Sequence, residues 1–407
     1  MPSHIPPGRT PDVTHSDLTE IIDFSQVRAW PRRREAPGCD AADLLLLDTA
    51  AAWFAAGHST EDLVVLDDRW GALTLALSAF APGQVRTASD GVIAEKALEA
   101  NARALGVAAP APGQIDAELF RGARMVVLPL PRSQDALEDW AWMIAEYAAA
   151  DVVLLAGGRD KHMSRSMNAV LQRHFDDVVP GRGRSKARVL TARSPRRGLP
   201  APFPRRARRE AGLEAPIELV SLGAAYGGTK LDHGTRFLLE VLAQQPDFPA
   251  VSDQHGSDQR LPQRAVDLGC GNGTISVWTA LRHPQLSVLA ADQSASAVVS
   301  TELTARANGV ADRVSTLRDD ALSSLPDASE DLILLNPPFH QGNAVDTSVA
   351  HRLISDSARV LRPGGVLCTV WNSHLKYRPW LERRVGATEQ LAKNPTFTVT
   401  RSVRRSS

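Results

Sequence analysis

The sequence predicts an α/β fold made of two tandem Rossmann-like domains, of which the N-terminal one is degenerate. Short apolar runs alternate with helix-compatible segments over most of the 407 residues. A glycine-rich turn directly follows one apolar run in the second half, and the order of elements in the first half repeats in the second. Strands separated by helices of this length indicate βαβ units and parallel sheets.

Composition places the chain among soluble globular proteins. Hydrophobic residues make up 43% and charged residues 23%, and the formal net charge is zero, so no overall field attracts a polyanion. Cys39, Cys270 and Cys368 are too few and too scattered for a disulfide framework or a zinc site. The N-terminus lacks the apolar core of a signal peptide, and the longest apolar stretch, residues 44–56, is too short to span a bilayer. We therefore expect a cytoplasmic protein without a metal or a membrane partner.

The first half is predicted to begin with a loosely ordered, Pro- and Arg-rich arm over residues 1–40, followed by an α/β domain over residues 41–180. Apolar patterns within that domain indicate strands and helices in alternation. The predicted strands are 62–67, 84–87, 123–128 and 151–156, and the predicted helices are 44–56, 72–79, 92–105 and 137–150.

Between the halves lies a basic segment, predicted as a linker or RNA-binding strip over residues 181–212. Residues 178–209 contain eleven Lys or Arg and no Asp or Glu, although the whole chain is neutral. Segregated charge of this kind can bind phosphates, and the cluster at its end is Arg205, Arg206, Arg208 and Arg209. An ordinary solvated linker is the alternative interpretation.

The second domain, residues 213–407, contains the glycine-rich turn that the fold class depends on. The apolar run 264–268 leads into Asp267, Gly269, Cys270, Gly271, Asn272 and Gly273, and a helix is predicted from residue 274. Glycines allow close approach of backbone N–H groups to a ligand. The next strand, 286–291, ends at Asp292, which is placed to accept hydrogen bonds from ribose hydroxyls. A turn that merely satisfies packing is the alternative.

The remaining elements of this domain follow the same alternation. Helices are predicted at 234–243, 295–308 and 348–361, a polar loop at 248–261, a tight turn at 362–365, and strands at 314–317, 332–335, 366–370 and 396–403. Asp319 and Asp320 end the strand at 314–317, a position from which an acid could reach a base amine.

A second motif, Asn336-Pro337-Pro338-Phe339-His340, follows the strand at 332–335. Two prolines cannot continue a central strand, so they mark a rigid exit at the carboxyl edge, where open α/β sheets bind ligands. Proline fixes φ and thereby holds the Asn336 side chain and the Pro337 carbonyl as two acceptors, while Phe339 offers a stacking face. An exocyclic amine on a flat ring needs this combination.

The first half repeats this order without its chemistry. Strand 63–66 with Asp67 matches strand 265–268 with Asp267, and the run before Pro129 matches the run before Asn336. Only one glycine, Gly71, remains in the corresponding turn, where Arg69 and Trp70 would fill the ligand space. The sequence therefore predicts a duplicated domain that has lost its site, with accidental similarity as the alternative.

Both motifs of the second domain resemble those of class I S-adenosylmethionine-dependent methyltransferases that act on planar amines. The flanking segments 230–239, 371–377 and 394–397 narrow the resemblance to ribosomal RNA guanine-N2 methyltransferases. His340-Gln341 and the segment 372–375 look closer to the large-subunit enzyme than to its small-subunit relative. The resemblance is specific over residues 222–405 and only architectural before them.

The resemblance implies a substrate, a cofactor and a set of site residues. The substrate is the N2 amine of a guanine in ribosomal RNA, and the partner is that RNA or a ribosomal subunit. S-adenosylmethionine would contact Thr235, Asp267, Gly269 to Gly273, Asp292, Asp319, Asp320 and Asn336. Asn336, Pro337, Pro338 and Phe339 would be catalytic, and His340 would be either a base contact or a structural histidine. The family's N-terminal half is a degenerate methyltransferase domain associated with folding and substrate binding.

Three other functions stay open from the sequence. The enzyme could act on small-subunit ribosomal RNA, or it could methylate protein glutamine or adenine, since Asn-Pro-Pro-aromatic motifs occur there too. The chain could also be a non-catalytic RNA-binding assembly factor, although its second motif set is intact.

Overall fold

The computed structural model describes residues 18–30, 37–245, 248, 250–252, 259–338 and 347–405. The chain forms two compact units, which divide between Leu199 and Pro200, and Asp90–Val92 belongs with the second unit. No helix in these described ranges is long and apolar enough to cross a membrane.

The first unit is built on one six-stranded sheet. Its strands are β1 (Leu63–Leu66), β2 (Val85–Ala88), β3 (Met125–Pro129), β4 (Val153–Arg159), β5 (Phe175–Pro180) and β6 (Ala187–Pro195). The spatial order is β2-β1-β3-β4-β6-β5. Strands β1 to β4 pair in parallel, whereas β6 runs antiparallel to both β4 and β5. The predicted parallel α/β sheet is therefore present, with an antiparallel hairpin at one edge.

The described residues of this unit form six α-helices: α1 (Ala41–Ala55), α2 (Ala72–Phe80), α3 (Val92–Leu105), α4 (Ala117–Phe120), α5 (Gln134–Tyr147) and α6 (Arg165–His174). Helix α1 begins with a capping box. The Asp40 side chain accepts the backbone N–H of Asp43, and the Asp43 side chain accepts the backbone N–H of Asp40. Residues before α1 also contribute to the core, since Leu18, Ile22 and Val27 are buried. The described part of the predicted loose arm, 18–30 and 37–40, is thus packed, because apolar residues recur among its polar ones.

The second unit contains a seven-stranded sheet and two small two-stranded ones. Its strands are β7 (Arg205–Arg209), β8 (Ile217–Ser221), β9 (Val251–Ser252), β10 (Gln259–Arg260), β11 (Arg264–Leu268), β12 (Ser287–Asp292), β13 (Val314–Arg318), β14 (Glu330–Leu335), β15 (Leu361–Asn372), β16 (Thr388–Lys393) and β17 (Phe397–Val403). The large sheet has the order β13-β12-β11-β14-β15-β17-β16, with β11 to β15 parallel and β17 antiparallel to both neighbours. Its helices are α7 (His233–Ala243), α8 (Thr274–Arg282), α9 (Ala295–Ala307), α10 (Thr347–Val360) and α11 (Arg378–Arg384).

The two large sheets share one strand order once β13 is set aside. Each has a glycine as N-cap of the helix after its first strand, Gly71 with φ 82° and Gly273 with φ 81°, and each of those helices is nine residues long. The two-domain fold class predicted from the sequence is confirmed.

Strand register corrects one detail of the predicted repeat. Leu66 pairs with Ala88, as Leu268 pairs with Ala291, so Asp67 stands where Gly269 stands and Val65 where Asp267 stands. Asp67 accordingly has a positive φ of 55°. The two acids were matched by their place beside the strand end, but they lie two residues apart in register.

A different acid stabilises the first unit's turn. The Asp68 carboxylate is buried and accepts the backbone N–H of Gly71 at 3.1 Å, together with the N–H and hydroxyl of Thr74 at 2.8 and 2.9 Å. Thr74 is the counterpart of Ser276, the residue that Asp267 binds in the second unit. An acid in the turn itself thus replaces an acid on the strand.

The segment predicted as a linker, 181–212, instead contributes strands to both units. Strand β6 lies inside the first sheet, and β7 pairs with β8 in the second unit. At least five of the eleven basic side chains form ion pairs with acids distant in sequence: Arg184–Asp48, Arg188–Asp160, Arg193–Asp177, Arg196–Asp176 and Arg206–Glu218. Charge that is segregated along the chain is therefore partly neutralised in the fold.

Candidate functional site

The predicted site residues converge on one edge of the second sheet. Strand β11 lies between β12 and β14, and all three are parallel. The glycine turn after β11, Asp292 at the end of β12, and Asn336 directly after β14 therefore emerge at the same carboxyl edge.

Gly269 and Gly273 serve different purposes in this turn. A Cβ added at Gly273 would lie 2.9 Å from Thr301 Cα, so this position needs glycine for the close approach of α9. A Cβ added at Gly269 would meet no atom within 4 Å, and φ there is 81°. Gly269 consequently borders open space at the carboxyl edge of the sheet, where a ligand could approach its backbone.

Asp267 lies beneath the turn and not on its open side. Its side chain is fully buried, and its Oδ2 accepts the N–H of Ser276 at 3.0 Å and the hydroxyl at 2.6 Å. Its Oδ1 has no hydrogen-bond partner among the described residues. Burial, with a smaller contribution from the charge of Asp292, raises the pKa of Asp267 to about 7 despite those bonds.

Asp292 connects the second strand end to the turn. Its Oδ2 accepts the backbone N–H of Gly271 at 3.0 Å, and its Oδ1 accepts that of Ser294 at 3.0 Å. Burial raises the pKa of this carboxyl, and the two N–H donors counteract that rise. The acid is thus held rigidly at the position predicted for a ribose contact.

Cys270 and Asn272 stabilise the turn from within. The Cys270 sulfur accepts the Thr301 hydroxyl at 3.3 Å, and burial raises the pKa of the thiol well above its ordinary value, so it is not a thiolate nucleophile. Asn272 donates to the carbonyls of Gly228 and Lys230, both at 2.9 Å. One side chain therefore joins the glycine turn to the segment that precedes α7.

The two acids after β13 already have protein partners. Asp319 accepts hydrogen bonds from Ser323 and from both the N–H and the hydroxyl of Ser324. Asp320 forms an ion pair with Arg352. Their predicted contact with a base amine stays a prediction, and the hydrogen bonds show that both also stabilise the 319–324 turn.

Asn336 is held by two side chains from the start of α7. Its Nδ2 donates to Asp232 Oδ2 and to Thr235 Oγ1, each at 2.9 Å. Its Oδ1 is buried and has no partner within the described part of the chain. The structure thereby brings the predicted residues Thr235 and Asn336 together, and it adds Asp232. This acid lies in the segment 230–239 that carried the resemblance, but it was not predicted as a site residue because its contact with Asn336 spans 104 residues.

Two further residues border this amide. A Cβ on Gly234 would lie 3.3 Å from Asn336 Oδ1 and 3.3 Å from Phe397 Cε1. The Asn394 side chain accepts the backbone N–H groups of Thr396 and Phe397 and so fixes the start of β17. Phe397 occurs in one of the segments that carried the resemblance, which was the available signal for it.

Pro337 is buried and Pro338 is exposed, as expected for a rigid exit from a central strand. The predicted stacking residue Phe339 and the predicted base contact His340 lie outside the described residues. Among the residues that are described, no group of three or more His, Cys, Asp or Glu could hold a metal ion.

The four arginines predicted to bind RNA lie on β7. The Arg205 guanidinium is 4.2 Å from the centre of the Phe203 ring, and Arg206 is paired with Glu218 at 2.8 Å. Arg208 is exposed, and Arg209 donates to the carbonyl of Thr229 at 2.9 Å. Arg209 therefore reaches the same 228–230 segment that Asn272 binds.

Comparison with known proteins assigns the family. The family described as "Methyltransferase small domain" matches residues 216–401, and the "RLMG N-terminal domain" matches residues 23–196. The ribosomal RNA large subunit methyltransferase G of Streptomyces avermitilis is 34% identical over 393 residues, which cover 93% of this chain and 94% of that protein. The chain belongs to the ribosomal RNA large subunit methyltransferase G family.

Other members of the methyltransferase G family agree with this assignment. The protein of that name from Shewanella amazonensis is 30% identical over 84% of this chain and 86% of its own length. Among solved structures, a 16S rRNA N2 methyltransferase from T. thermophilus (RsmC), in complex with AdoMet and guanosine, gives a TM-score of 0.69. It is 24% identical and covers 90% of this chain and 92% of its own, which establishes a shared fold across both units.

Proposed function

We propose that this protein transfers a methyl group from S-adenosylmethionine to the exocyclic N2 amine of a guanine in large-subunit ribosomal RNA. The observation that carries the proposal is the Asn336 amide, whose two hydrogens are used internally while its buried Oδ1 lacks a partner among the described residues. A buried acceptor without a donor is costly, so the site is built to receive an N–H from a ligand.

The turn after β11 fits S-adenosylmethionine. The open space at Gly269 leaves room for the cofactor beside the backbone of the turn, and the fixed Asp292 carboxylate offers an acceptor for its ribose hydroxyls. When bound, this cofactor supplies an activated methyl group on a positively charged sulfur. Asp292 would hold its ribose, Gly269 to Gly273 would line it, and Asp267 would support the turn from beneath. Thr235, Asp319, Asp320 and Asn336 complete the predicted set.

The chain's own contribution to the reaction is positioning and electrostatic stabilisation. Asn336 Oδ1 and the Pro337 carbonyl accept the two hydrogens of the amine and orient its nitrogen. Positive charge that develops on this nitrogen is stabilised by the same two dipoles, which need no reorganisation. Phe339 would stack on the base, which must first leave its helix or lie in a loop.

Large-subunit RNA is favoured as the substrate because the relatives that match nearly the full chain carry that name. The exposed Arg208 and the other β7 arginines give the chain a phosphate-binding surface on the second unit. The small-subunit substrate remains the second candidate, since the RsmC structure shares the fold over both units.

The test is transfer of labelled methyl groups to a mixture of naked ribosomal RNAs, ribosomal subunits and ribosomal proteins. We expect N2-methylguanosine in large-subunit RNA. Label confined to small-subunit RNA would show that this RNA is the substrate. Label on adenine or glutamine would overturn the guanine assignment. Cofactor binding without any transfer would indicate an assembly factor.

A variant separates binding from chemistry in the same assay. Asn336→Ala removes one preorganised acceptor, so turnover should fall by about two to three decades while cofactor affinity, measured by calorimetry, stays nearly unchanged. Parallel losses in both would make Asn336 a structural residue.

A further inference from the structure

We propose that Asp232 is the positioning residue that gives Asn336 its polarity, and that it thereby makes the site select a hydrogen-bond donor as the methyl acceptor. This inference rests on the proposed function, because Asn336 is taken to contact the target amine. Asp232 is separated from Asn336 by 104 residues and is not one of the residues that the sequence motifs singled out.

The first argument concerns the orientation of the amide. Both hydrogens of Asn336 Nδ2 are directed at acceptors, Asp232 Oδ2 and Thr235 Oγ1, each at 2.9 Å. An ionised carboxylate can only accept hydrogen bonds, so a flipped amide would set its Oδ1 against the Asp232 oxygen and lose that bond, whereas the Thr235 hydroxyl could bond either end of the amide. Asp232 therefore determines which end of the amide faces the ligand.

The second argument is that Asp232 cannot turn away. It is the N-cap of the eleven-residue helix α7, and the same Oδ2 accepts the backbone N–H of Thr235 at 3.0 Å. The partner of Asn336 is thus fixed by the backbone of α7 as well as by its own rotamer.

The third argument is steric. A Cβ on Gly234 would lie 3.1 Å from Asp232 Oδ2 and 3.3 Å from Asn336 Oδ1, which is tighter than ordinary contact. The glycine between Asp232 and Thr235 therefore keeps space for the pair. The amide is enclosed on this side, and its acceptor is left for a group that can donate.

The consequence for the reaction is a charge-assisted acceptor. The negative charge of Asp232 polarises the amide through Nδ2, which increases the negative charge on Oδ1. Oδ1 then prefers an amine, which donates hydrogen bonds, to a carbonyl oxygen or an unprotonated ring nitrogen, which can only accept them. It also stabilises the positive charge that appears on the amine nitrogen during transfer.

The experiment changes each side chain in turn. Asp232→Ala should lower kcat by about 10- to 100-fold with little change in KM for S-adenosylmethionine, as for the loss of support for one preorganised dipole. Asn336→Asp sets two carboxylates in contact, which must share one proton, so its residual activity should fall as pH rises. In Asp232→Asn the Thr235 N–H selects the amide oxygen at the Oδ2 position, so Asn336 keeps its acceptor but loses the charge, and kcat should lie between those of Asp232→Ala and the wild type.

The control is Asp116→Ala, which removes the N-cap of another helix, α4, in the first unit. It should leave kcat and KM unchanged. Asp232→Ala within twofold of wild type, or Asp232→Asn no more active than Asp232→Ala, would overturn the inference.

A second readout does not depend on RNA. In protein labelled with 15N-asparagine, the Asn336 side-chain amide hydrogens should exchange slowly in the wild type and at least about tenfold faster in Asp232→Ala. Equal exchange rates would overturn the positioning role even if guanine is the substrate. Wild-type protein that transfers no methyl group to guanine, yet shows the protected amide, would instead overturn the proposed function alone.

Discussion

Asp267→Asn should stabilise the second unit at alkaline pH, although it removes the acid of the glycine motif. Burial raises the pKa of Asp267 to about 7, whereas the unfolded value is about 3.9. Between these two pH values the folded state binds more protons than the unfolded state, so the free energy of unfolding decreases as pH rises. For one such group, integration from pH 5 to pH 8 gives a loss of roughly 2–3 kcal/mol.

The substitution is nearly isosteric and preserves the internal contacts. The asparagine oxygen can still accept both bonds from Ser276, and its nitrogen replaces the Oδ1 that lacks a partner among the described residues. The variant stays neutral at every pH, so its advantage in stability over the wild type should grow by roughly 2–3 kcal/mol between pH 5 and pH 8.

Hydrogen exchange of peptides from β11 and α8, corrected for intrinsic rates, reports the free energy of opening for this unit alone. Asp43→Asn is the matched control, because burial also raises the pKa of Asp43 to about 7 but this acid lies in the first unit. It should leave the exchange of β11 unchanged. A variant that is less stable than the wild type at pH 8 would show that the ionised Asp267 stabilises the fold, and it would refute the reasoning.

Two other variants, one single and one fourfold, test the cofactor and RNA contacts. Asp292→Ala removes a charged acceptor worth roughly 1.5–3 kcal/mol, so the affinity for the cofactor, measured by calorimetry, should fall by about one to two decades. Unchanged affinity in a folded variant would show that the ribose binds elsewhere. Replacing Arg205, Arg206, Arg208 and Arg209 by Gln should reduce the log–log salt slope of RNA binding by about 0.7–0.9 per lost phosphate contact. The control is the double variant Arg193→Gln/Arg196→Gln, because these two arginines are paired with Asp177 and Asp176. It should change the slope much less. Equal slopes for both variants would contradict the assignment of the phosphate contacts to β7.

The sequence predicted the parts of the fold and site that depend on local pattern. The strand–turn–helix at 264–282 and the rigid exit at Asn336 are encoded by neighbouring residues, and the structure places both at one sheet edge. Apolar periodicity and proline chemistry were sufficient for these, because each acts over a few residues.

The parts that could not be predicted depend on contacts between distant residues. In the sequence, Asp232 is recognisable only as a helix N-cap, and its hydrogen bond with Asn336 is formed by the fold. The basic segment appeared to be a uniform strip, but acids such as Asp48 and Asp160 are brought to it only by the fold. The mismatch of Asp67 with Asp267 has the same origin, since register is set by pairing with the neighbouring strand.

The Asp68 side chain shows how the first turn is stabilised without an acid on the preceding strand. It accepts the backbone N–H groups of Gly71 and Thr74, which is the supporting role that Asp267 has in the second unit. The open side of the second turn, at Gly269, relies instead on a ligand that diffuses in. By mass action, the stability of the second unit should therefore rise with the concentration of its proposed cofactor.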